Sequence, residues 1–125
     1  MSASTTPPTT SHSSGPLGGL RVVDFTRLLP GPFCSLLLAD LGADVIKIEA
    51  PTGGDFTRWM PPFQGRFSAF FASLNRNKRS LAVNLKADEG RDIVMKLAHS
   101  TDVVVENFGP GTMDRLGYGY EEFKA

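Results

Sequence analysis

The sequence predicts an α/β fold whose sheet is mostly parallel. From Arg21 onwards, short apolar runs alternate with segments of helical period, which is typical of βαβ units. The 125 residues include 13 Lys and Arg against 13 Asp and Glu, which fits one small domain without a net charge that would attract nucleic acid or a membrane. A single cysteine forbids an internal disulfide, and no apolar run approaches the ~20 residues that cross a bilayer.

Residues 1–20 are predicted to form a disordered tail. They contain no charged residue and are mostly Ser, Thr, Pro and Gly, so they bury too little apolar surface to offset the entropy of ordering them. They have neither the arginines of a mitochondrial presequence nor the apolar core of a secretory signal. Residues 21–125 form the predicted domain. The cytoplasm is the expected location, with mitochondria as the alternative.

Four strands and four helices are predicted in this domain. The strands are residues 21–26, 44–49, 80–85 and 102–105, and the helices are residues 33–41, 68–74, 88–99 and 112–116. The first helix follows Pro32, which suits a first helical position, and ends before Gly42, which suits a C-cap. Its apolar stripe of Phe33, Leu37 and Leu41 is expected to lie on the sheet.

The later elements have their own signals. The second strand is stopped by Pro51 and a glycine pair. The third helix has acids in its first turn, and its expected buried face is Ile93, Val94, Leu97 and Ala98. The stretch 55–65 is aromatic and proline-rich, so we expect it to pack under another segment or to line a cavity. A helical signal from Tyr120 stops after barely a turn, so the chain is expected to be truncated.

Two segments are candidates for ligand binding. Six basic and no acidic residues lie between Phe56 and Ala87, and the densest run, 75–79, could cradle phosphate, with a solvated basic face as the alternative. Residues 107–111 follow the last strand, where Phe108 beside a glycine turn could hold an adenine ring, with a plain strand-to-helix turn as the alternative. RNA binding is disfavoured because the aromatic residues do not interleave with the basic ones.

Few residues qualify as catalytic groups or metal ligands. Cys34 lies among leucines and is expected to be a buried, inert thiol. His12 lies in the tail and His99 at a helix end, so no metal site is expected. Asp24 and Glu49 end strands, where a lone carboxylate usually satisfies loop amides. No dinucleotide-binding glycine motif or P-loop occurs, and no catalytic residue is assigned.

Several motifs occur together along the chain in one order. They are VDFTR at 23–27, PGP at 30–32, LADLGADVIKIE at 38–49, GD at 54–55, TR at 57–58, NRNKRS at 75–80, VENF at 105–108, PG at 110–111 and RLG at 115–117. Together they strongly resemble the amino-terminal part of the family III CoA-transferases, the CaiB/BaiF type, a family that also contains the α-methylacyl-CoA racemases. The resemblance covers residues 17–123.

The resemblance implies that this chain is the amino-terminal part of a Rossmann-like large domain. It also implies an intertwined homodimer that binds coenzyme A along this segment. By position, ten residues match the family's CoA contacts: Leu29, Pro30, Val83, Asn84, Leu85, Lys86, Asn107, Phe108, Gly109 and Arg115. Lys86, Arg115 and the basic run are expected near the phosphates, and Phe108 near adenine. Ala50 stands where family members often have an arginine, which is expected to weaken the grip on phosphate.

The resemblance also implies a reaction. In the transferases an Asp attacks the acyl-CoA thioester to give an anhydride and then an aspartyl-CoA thioester, before CoA passes to an acceptor carboxylate. No residue here matches that Asp, so we expect the amino-terminal segment of an enzyme acting on acyl-CoA and carboxylic acid substrates, without metal, nucleic acid or membrane. A racemase fragment, favoured by residues 30–34, and a non-catalytic CoA-binding or dimerisation module are the alternatives. Residues 55–63 and 105–108 favour the transferases.

Overall fold

A parallel sheet of four strands is the centre of the fold, which confirms the predicted α/β class. The structure, a computed structural model, describes residues 15–124. The strands are β1 (Arg21–Asp24), β2 (Asp44–Glu49), β3 (Phe63–Gln64), β4 (Phe67–Ser68), β5 (Lys78–Ala82) and β6 (Val103–Val105). The helices are α1 (Pro30–Asp40), α2 (Ala69–Asn75), α3 (Asp88–Ala98), α4 (Thr112–Leu116) and α5 (Tyr120–Lys124), and a 3-10 turn spans Phe56–Trp59.

The four-stranded sheet has the order β5-β2-β1-β6. All its pairs are parallel, and Val23 of β1 lies opposite Ile46 of β2 and Val104 of β6. The chain therefore builds the sheet outward from β1 on one side and then crosses to the other side. Strands β3 and β4 form a separate antiparallel hairpin.

The two central strands are buried on both faces, so they are rich in Val and Ile, and the one lysine in the interior of β2, Lys47, is buried in an ion pair. One core cluster contains Val23, Phe25, Ile46, Ile48, Val83, Val94, Met113 and Tyr118. The other contains Val22, Ala39, Ala43 and Val45. Helices α3 and α4 therefore cover one face, and α1 covers the other.

The prediction for the buried face of α1 is wrong. Phe33, Leu37 and Leu41 are about half exposed, at 50%, 48% and 45%. The residues that face the sheet are Gly31, Pro32, Ser35, Leu36 and Ala39. The helix approaches the sheet so closely that a Cβ on Gly31 would lie 2.6 Å from Thr26 Cγ2. Close approach requires small side chains, and the hydroxyl of Ser35 then reaches the buried carboxylate of Asp24.

Several element bounds differ from prediction: β1 ends at Asp24 rather than at residue 26, and α1 begins at Pro30 rather than at residue 33. The third strand of the sheet is β5 at 78–82 rather than 80–85, because the chain leaves the strand after Ala82. On α3, Val94 is buried and Leu97 packs against the core, but Ile93 is 48% exposed. Gly90 takes a place on the buried face of that helix, where only a residue without a side chain fits.

The start of the chain is only partly described. The predicted tail falls mainly on residues 1–14, which lie outside the described residues. Residues 15–20 form turns, in which the N–H of Leu17 donates to the carbonyl of Leu41 at 3.0 Å. Leu17 and Leu20 pack against the α1 side of the core, so the packed region begins before Arg21. Within the described residues, no helix is long and apolar enough to cross a membrane.

Candidate ligand-binding site

A cavity of about 590 Å³ opens at the carboxyl edge of the sheet. It is lined by residues 25–27, 48–56 and 83–86 together with Trp59, Phe108, Thr112 and Leu116. Strand β1 has β2 on one side and β6 on the other, so the chain adds strands in one direction from β1 and then in the opposite direction. The direction of strand addition therefore reverses at β1. Open parallel sheets bind ligands at such a reversal, outside the carboxyl ends of their strands.

The carboxylate of Glu49 holds the loop that follows β2. It accepts hydrogen bonds from Arg58 Nε at 2.8 Å, from Arg58 Nη2 at 2.7 Å and from the N–H of Asp55 at 2.8 Å, and it also accepts one from the Ser80 hydroxyl. Burial alone raises the pKa of Glu49, but these hydrogen bonds outweigh it and lower the pKa to about 2. The Arg58 guanidinium carbon also lies 3.8 Å from the centre of the Phe71 ring. The cavity wall is therefore fixed by a charged hydrogen-bond network.

We expect the protein to lose stability as the pH falls from about 4.5, the ordinary pKa of this carboxyl, to about 2. Because the folded pKa of Glu49 is lowered, its contribution is complete above the unfolded pKa and is lost as the carboxyl is protonated. The loss should be about 2 kcal/mol, since the partner Arg58 is partly exposed to solvent. Urea unfolding at several pH values between 7 and 2 measures it.

Glu49→Gln is the control for this pH dependence. The variant should be less stable at pH 7, and its stability should fall less steeply between pH 4.5 and 2. Equal slopes for the two proteins over that range would contradict the assignment.

A lysine and an aspartate are buried together beneath the cavity. Lys47 Nζ lies 2.9 Å from Asp55 Oδ2, in an ion pair without hydrogen-bond alignment, and donates to the carbonyl of Thr26 at 2.7 Å. Asp55 Oδ1 accepts from the N–H and the hydroxyl of Thr57. Burial alone raises the pKa of Asp55, but the bonds from Thr57 and the charge of Lys47 outweigh it and lower the pKa. This network joins the end of β1 to the loop after β2.

The basic run 75–79 does not form the predicted phosphate cradle. Lys78 Nζ is buried and donates to Asp24 at 3.3 Å and to Ser35 at 2.8 Å. Arg76 pairs with Asp40, and Arg79 pairs with Asp44. Lys78 also lies opposite Val45 near the start of β2, whereas the cavity lies at the strand ends. The charges of this run are therefore neutralised within the chain, at the edge of the sheet away from the cavity.

The segment 83–86 forms the wall of the cavity beyond β5. Val83 is buried, and its N–H donates to the carbonyl of Glu49 at 2.9 Å. The side-chain oxygen of Asn84 accepts from the N–H of Lys86 at 3.1 Å, which shapes the turn into α3. The ammonium of Lys86 is exposed and has no partner within residues 15–124.

The loops after β1 and β6 are joined by the side chain of Asn107. Its Oδ1 accepts from the N–H of Arg27 at 2.9 Å, and its Nδ2 donates to the carbonyl of Arg27 at 3.0 Å. The Arg27 guanidinium carbon lies 4.7 Å from the centre of the Phe108 ring. Phe108 and Arg27 both line the cavity.

A second, smaller cavity of about 250 Å³ adjoins the first. It is lined by residues 85–88, Arg91, Arg115 and Leu116, and it shares Leu85, Lys86 and Leu116 with the larger cavity. Arg115 Nη2 donates to the Thr112 hydroxyl at 2.9 Å, which directs the guanidinium along the start of α4. We call these two adjoining cavities the groove, and the smaller one is lined by the basic residues Lys86, Arg91 and Arg115 and by the acidic Asp88.

The predicted contact residues are only partly brought together. Val83, Asn84, Leu85, Lys86 and Phe108 line the larger cavity, and Arg115 lines the smaller one. Leu29, Pro30, Asn107 and Gly109 line neither. That these residues bind CoA stays a prediction.

Sequence reasoning missed Arg27 as a cavity residue, although its place directly after a strand end was a usable signal. The expectation that the stretch 55–65 lines a cavity is confirmed for Phe56 and Trp59, which are 65% and 66% exposed. The indole N–H of Trp59 donates to the carbonyl of Gly53 at 2.8 Å, which fixes the ring on the loop.

The lone cysteine takes no part in the cavity. The prediction that it is buried is wrong, because α1 turns its small residues to the sheet and leaves Cys34 exposed. Within the described part of the chain, no three His, Cys, Asp or Glu side chains are grouped as a metal site.

The sequence motifs agree with comparisons to known proteins. The model of a family described as CoA-transferase family III matches residues 17–125. The chain belongs to this family. It is 51% identical over 108 residues to the human succinyl-CoA:glutarate CoA-transferase, covering 86% of this chain and 25% of that protein. It is 49% identical to the succinyl-CoA:mesaconate CoA-transferase of Haloarcula marismortui, covering 88% of this chain and 29% of the relative.

The fold of this family III member also matches solved structures. A CAIB/BAIF family protein from Brucella suis superposes with a TM-score of 0.82 at 46% identity, covering 88% of this chain and 30% of that one. The chain therefore spans between a quarter and a third of the length of the relatives it matches.

Proposed function

We propose that this chain is the CoA-binding part of an enzyme that moves coenzyme A between an acyl-CoA donor and a carboxylic acid. The observation that carries the proposal is the cavity at the carboxyl edge of the sheet, lined by residues 83–86 and Phe108. The relatives named as CoA-transferases of succinyl-CoA, glutarate and mesaconate support it. They favour the transferase reaction over that of the racemases.

The surface of the groove suits the parts of CoA. Ile48, Val83 and Leu116 provide apolar contacts for a pantetheine chain, and Phe108 provides a ring face for adenine. Lys86 and Arg115 provide positive charge along the same groove. Phosphate groups prefer such arginine and lysine donors.

The described carboxylates of the cavity have structural roles in this proposal. Glu49 accepts from Arg58, and Asp55 pairs with Lys47. Fixed hydrogen bonds hold both carboxylates in these pairs, so neither is free to attack a thioester. The nucleophilic Asp that the family resemblance implies is therefore not assigned to a described residue.

The proposal also includes an intertwined homodimer acting in the cytoplasm. Support for the dimer comes from the half-exposed stripe of Phe33, Leu37 and Leu41 on α1. Contiguous apolar side chains on a surface mark sites of interaction with other protein.

We expect Lys86→Ala and Arg115→Ala each to weaken CoA binding about three- to ten-fold, because each loses a charged contact that solvent partly screens. Isothermal titration of CoA into the full chain measures this, and both losses should shrink at high salt. Lys96→Ala, on the exposed side of α3, is the matched control and should bind as the wild type does. A folded wild-type protein that takes up no CoA would overturn the proposal.

A further inference from the structure

We infer that Arg27 is a phosphate-binding residue of the larger cavity, held in position by Asn107 and Phe108. This inference rests on the proposed function, because it adds a contact for the phosphates of CoA. Neither the motif positions nor the family resemblance indicated a ligand contact at Arg27.

The first argument is the charge of the cavity. Four charged residues line it: Arg27, Glu49, Asp55 and Lys86. The two carboxylates are neutralised by Arg58 and Lys47. The remaining charge is therefore positive and comes from two separate loops, one after β1 and one after β5. Two unpaired cations on different loops of one cavity indicate an anionic ligand between them.

The second argument is the state of the Arg27 side chain. Arg27 is exposed, and within residues 15–124 its guanidinium N–H groups have no hydrogen-bond partner, while its guanidinium carbon lies 4.7 Å from the centre of the Phe108 ring. An aromatic ring attracts the face of a guanidinium and leaves the N–H groups at its edge free. The guanidinium of Arg27 is therefore held near Phe108, while its N–H groups face solvent and are accessible to a ligand.

The third argument is the backbone beneath that side chain. The side-chain oxygen of Asn107 accepts a hydrogen bond from the N–H of Arg27, and its side-chain nitrogen donates one to the carbonyl of Arg27. The next residue, Leu28, has a φ of 65°, which residues other than glycine rarely adopt. Such conformations persist where the surroundings impose them and are concentrated at functional sites. Asn107 is thus a positioning residue that acts through Arg27.

Phosphate is the ligand group that these features favour. The fork of N–H donors in a guanidinium matches two oxygens of one phosphoryl group, and its charge persists at any physiological pH. A flat base stacked on the open face of the guanidinium is the competing arrangement. A phosphate contact weakens as salt is added and occurs with pyrophosphate, which has no base. Base stacking depends little on salt and occurs with adenosine, which has no phosphate, so binding measurements separate the two.

The test uses the full chain and isothermal titration with CoA, inorganic pyrophosphate and adenosine. We expect Arg27→Ala to weaken binding of CoA and pyrophosphate about ten-fold at low salt and to leave adenosine unchanged. Arg27→Lys should retain part of the affinity, and the loss should shrink at high salt. Arg66→Ala, an exposed arginine of the β3–β4 hairpin, is the matched control. The backbone bonds of Arg27 do not involve its side chain, so the variant should fold.

The outcomes separate this inference from the proposed function. Unchanged CoA affinity in Arg27→Ala, or an equal loss of adenosine binding, would overturn the inference and leave the proposed function standing. Binding of pyrophosphate that depends on Arg27, without binding of CoA, would overturn the proposed function alone.

A double-mutant cycle tests the positioning role. If Asn107 acts through Arg27, Asn107→Ala should weaken CoA binding in the wild type and have little further effect in Arg27→Ala. Additive losses in the two backgrounds would contradict that role.

Discussion

Lys47→Met is expected to lower the free energy of unfolding by about 3–5 kcal/mol. The Lys47 side chain is 2% exposed and that of Asp55 is 1% exposed, and their charges lie 2.9 Å apart. Methionine fills a similar volume but leaves the Asp55 carboxylate buried without its counter-charge, and it removes the donor to the carbonyl of Thr26. Domains are stable by only about 5–15 kcal/mol, so the loss is a large fraction of the total stability.

Urea unfolding followed by circular dichroism measures the effect of Lys47→Met. Lys96→Met, which replaces an exposed lysine of α3, is the matched control and should change stability by less than about 0.5 kcal/mol. The double variant Lys47→Met/Asp55→Asn should recover part of the loss, because it removes the unpaired buried charge and keeps an oxygen that accepts from Thr57. A double variant no more stable than the single one would show that the loss comes from packing and not from charge.

Gly90→Ala is expected to destabilise the protein by about 1–3 kcal/mol through overpacking. Alanine inside a helix is ordinarily favoured over glycine by about 1 kcal/mol, so this position should reverse the usual sign. A Cβ on Gly90 would lie 2.8 Å from the carbonyl carbon of Asn84, closer still to its oxygen, and 3.2 Å from Val83 Cγ2. Backbone atoms cannot rotate away, so α3 or the segment 83–86 has to shift.

The same shift displaces part of the cavity wall, since Lys86 lies on the segment that α3 packs against. We therefore expect Gly90→Ala also to weaken CoA binding, by about ten-fold. Thermal unfolding and CoA titration of the same preparations measure both effects, and Lys96→Ala controls for a change elsewhere on the helix. A variant with a higher melting temperature than the wild type would contradict this account.

The sequence was sufficient for the fold class, and it placed five of the predicted contact residues at the larger cavity, whose ligand stays a prediction. The short apolar runs at 21–26 and 44–49 are stopped by turn residues and separated by a segment of helical period. This local pattern predicts strands of a parallel sheet, and the structure has them. Val83, Leu85 and Lys86 follow one strand and Phe108 follows another, and parallel strands bring such ends to one edge. The ordered motifs also identified the family, which the match over residues 17–125 confirms.

Only the tertiary structure decided which residues meet. Phe33, Leu37 and Leu41 have the spacing of a buried stripe, yet α1 turns Gly31 and Ala39 inward, because the distance between helix and sheet decides which side chains fit. From the sequence, Lys78 was a candidate ligand contact, but in the structure its ammonium lies 3.3 Å from the carboxylate of Asp24 and is paired with it.

Arg27 shows the opposite case, because folding leaves its charge unpaired beside Phe108 in the cavity. Periodicity and turn chemistry act over a few residues, and a sequence records them directly. Burial and the pairing of charges depend on contacts between residues far apart in the chain, such as Asp24 and Lys78, and only the folded chain brings these together.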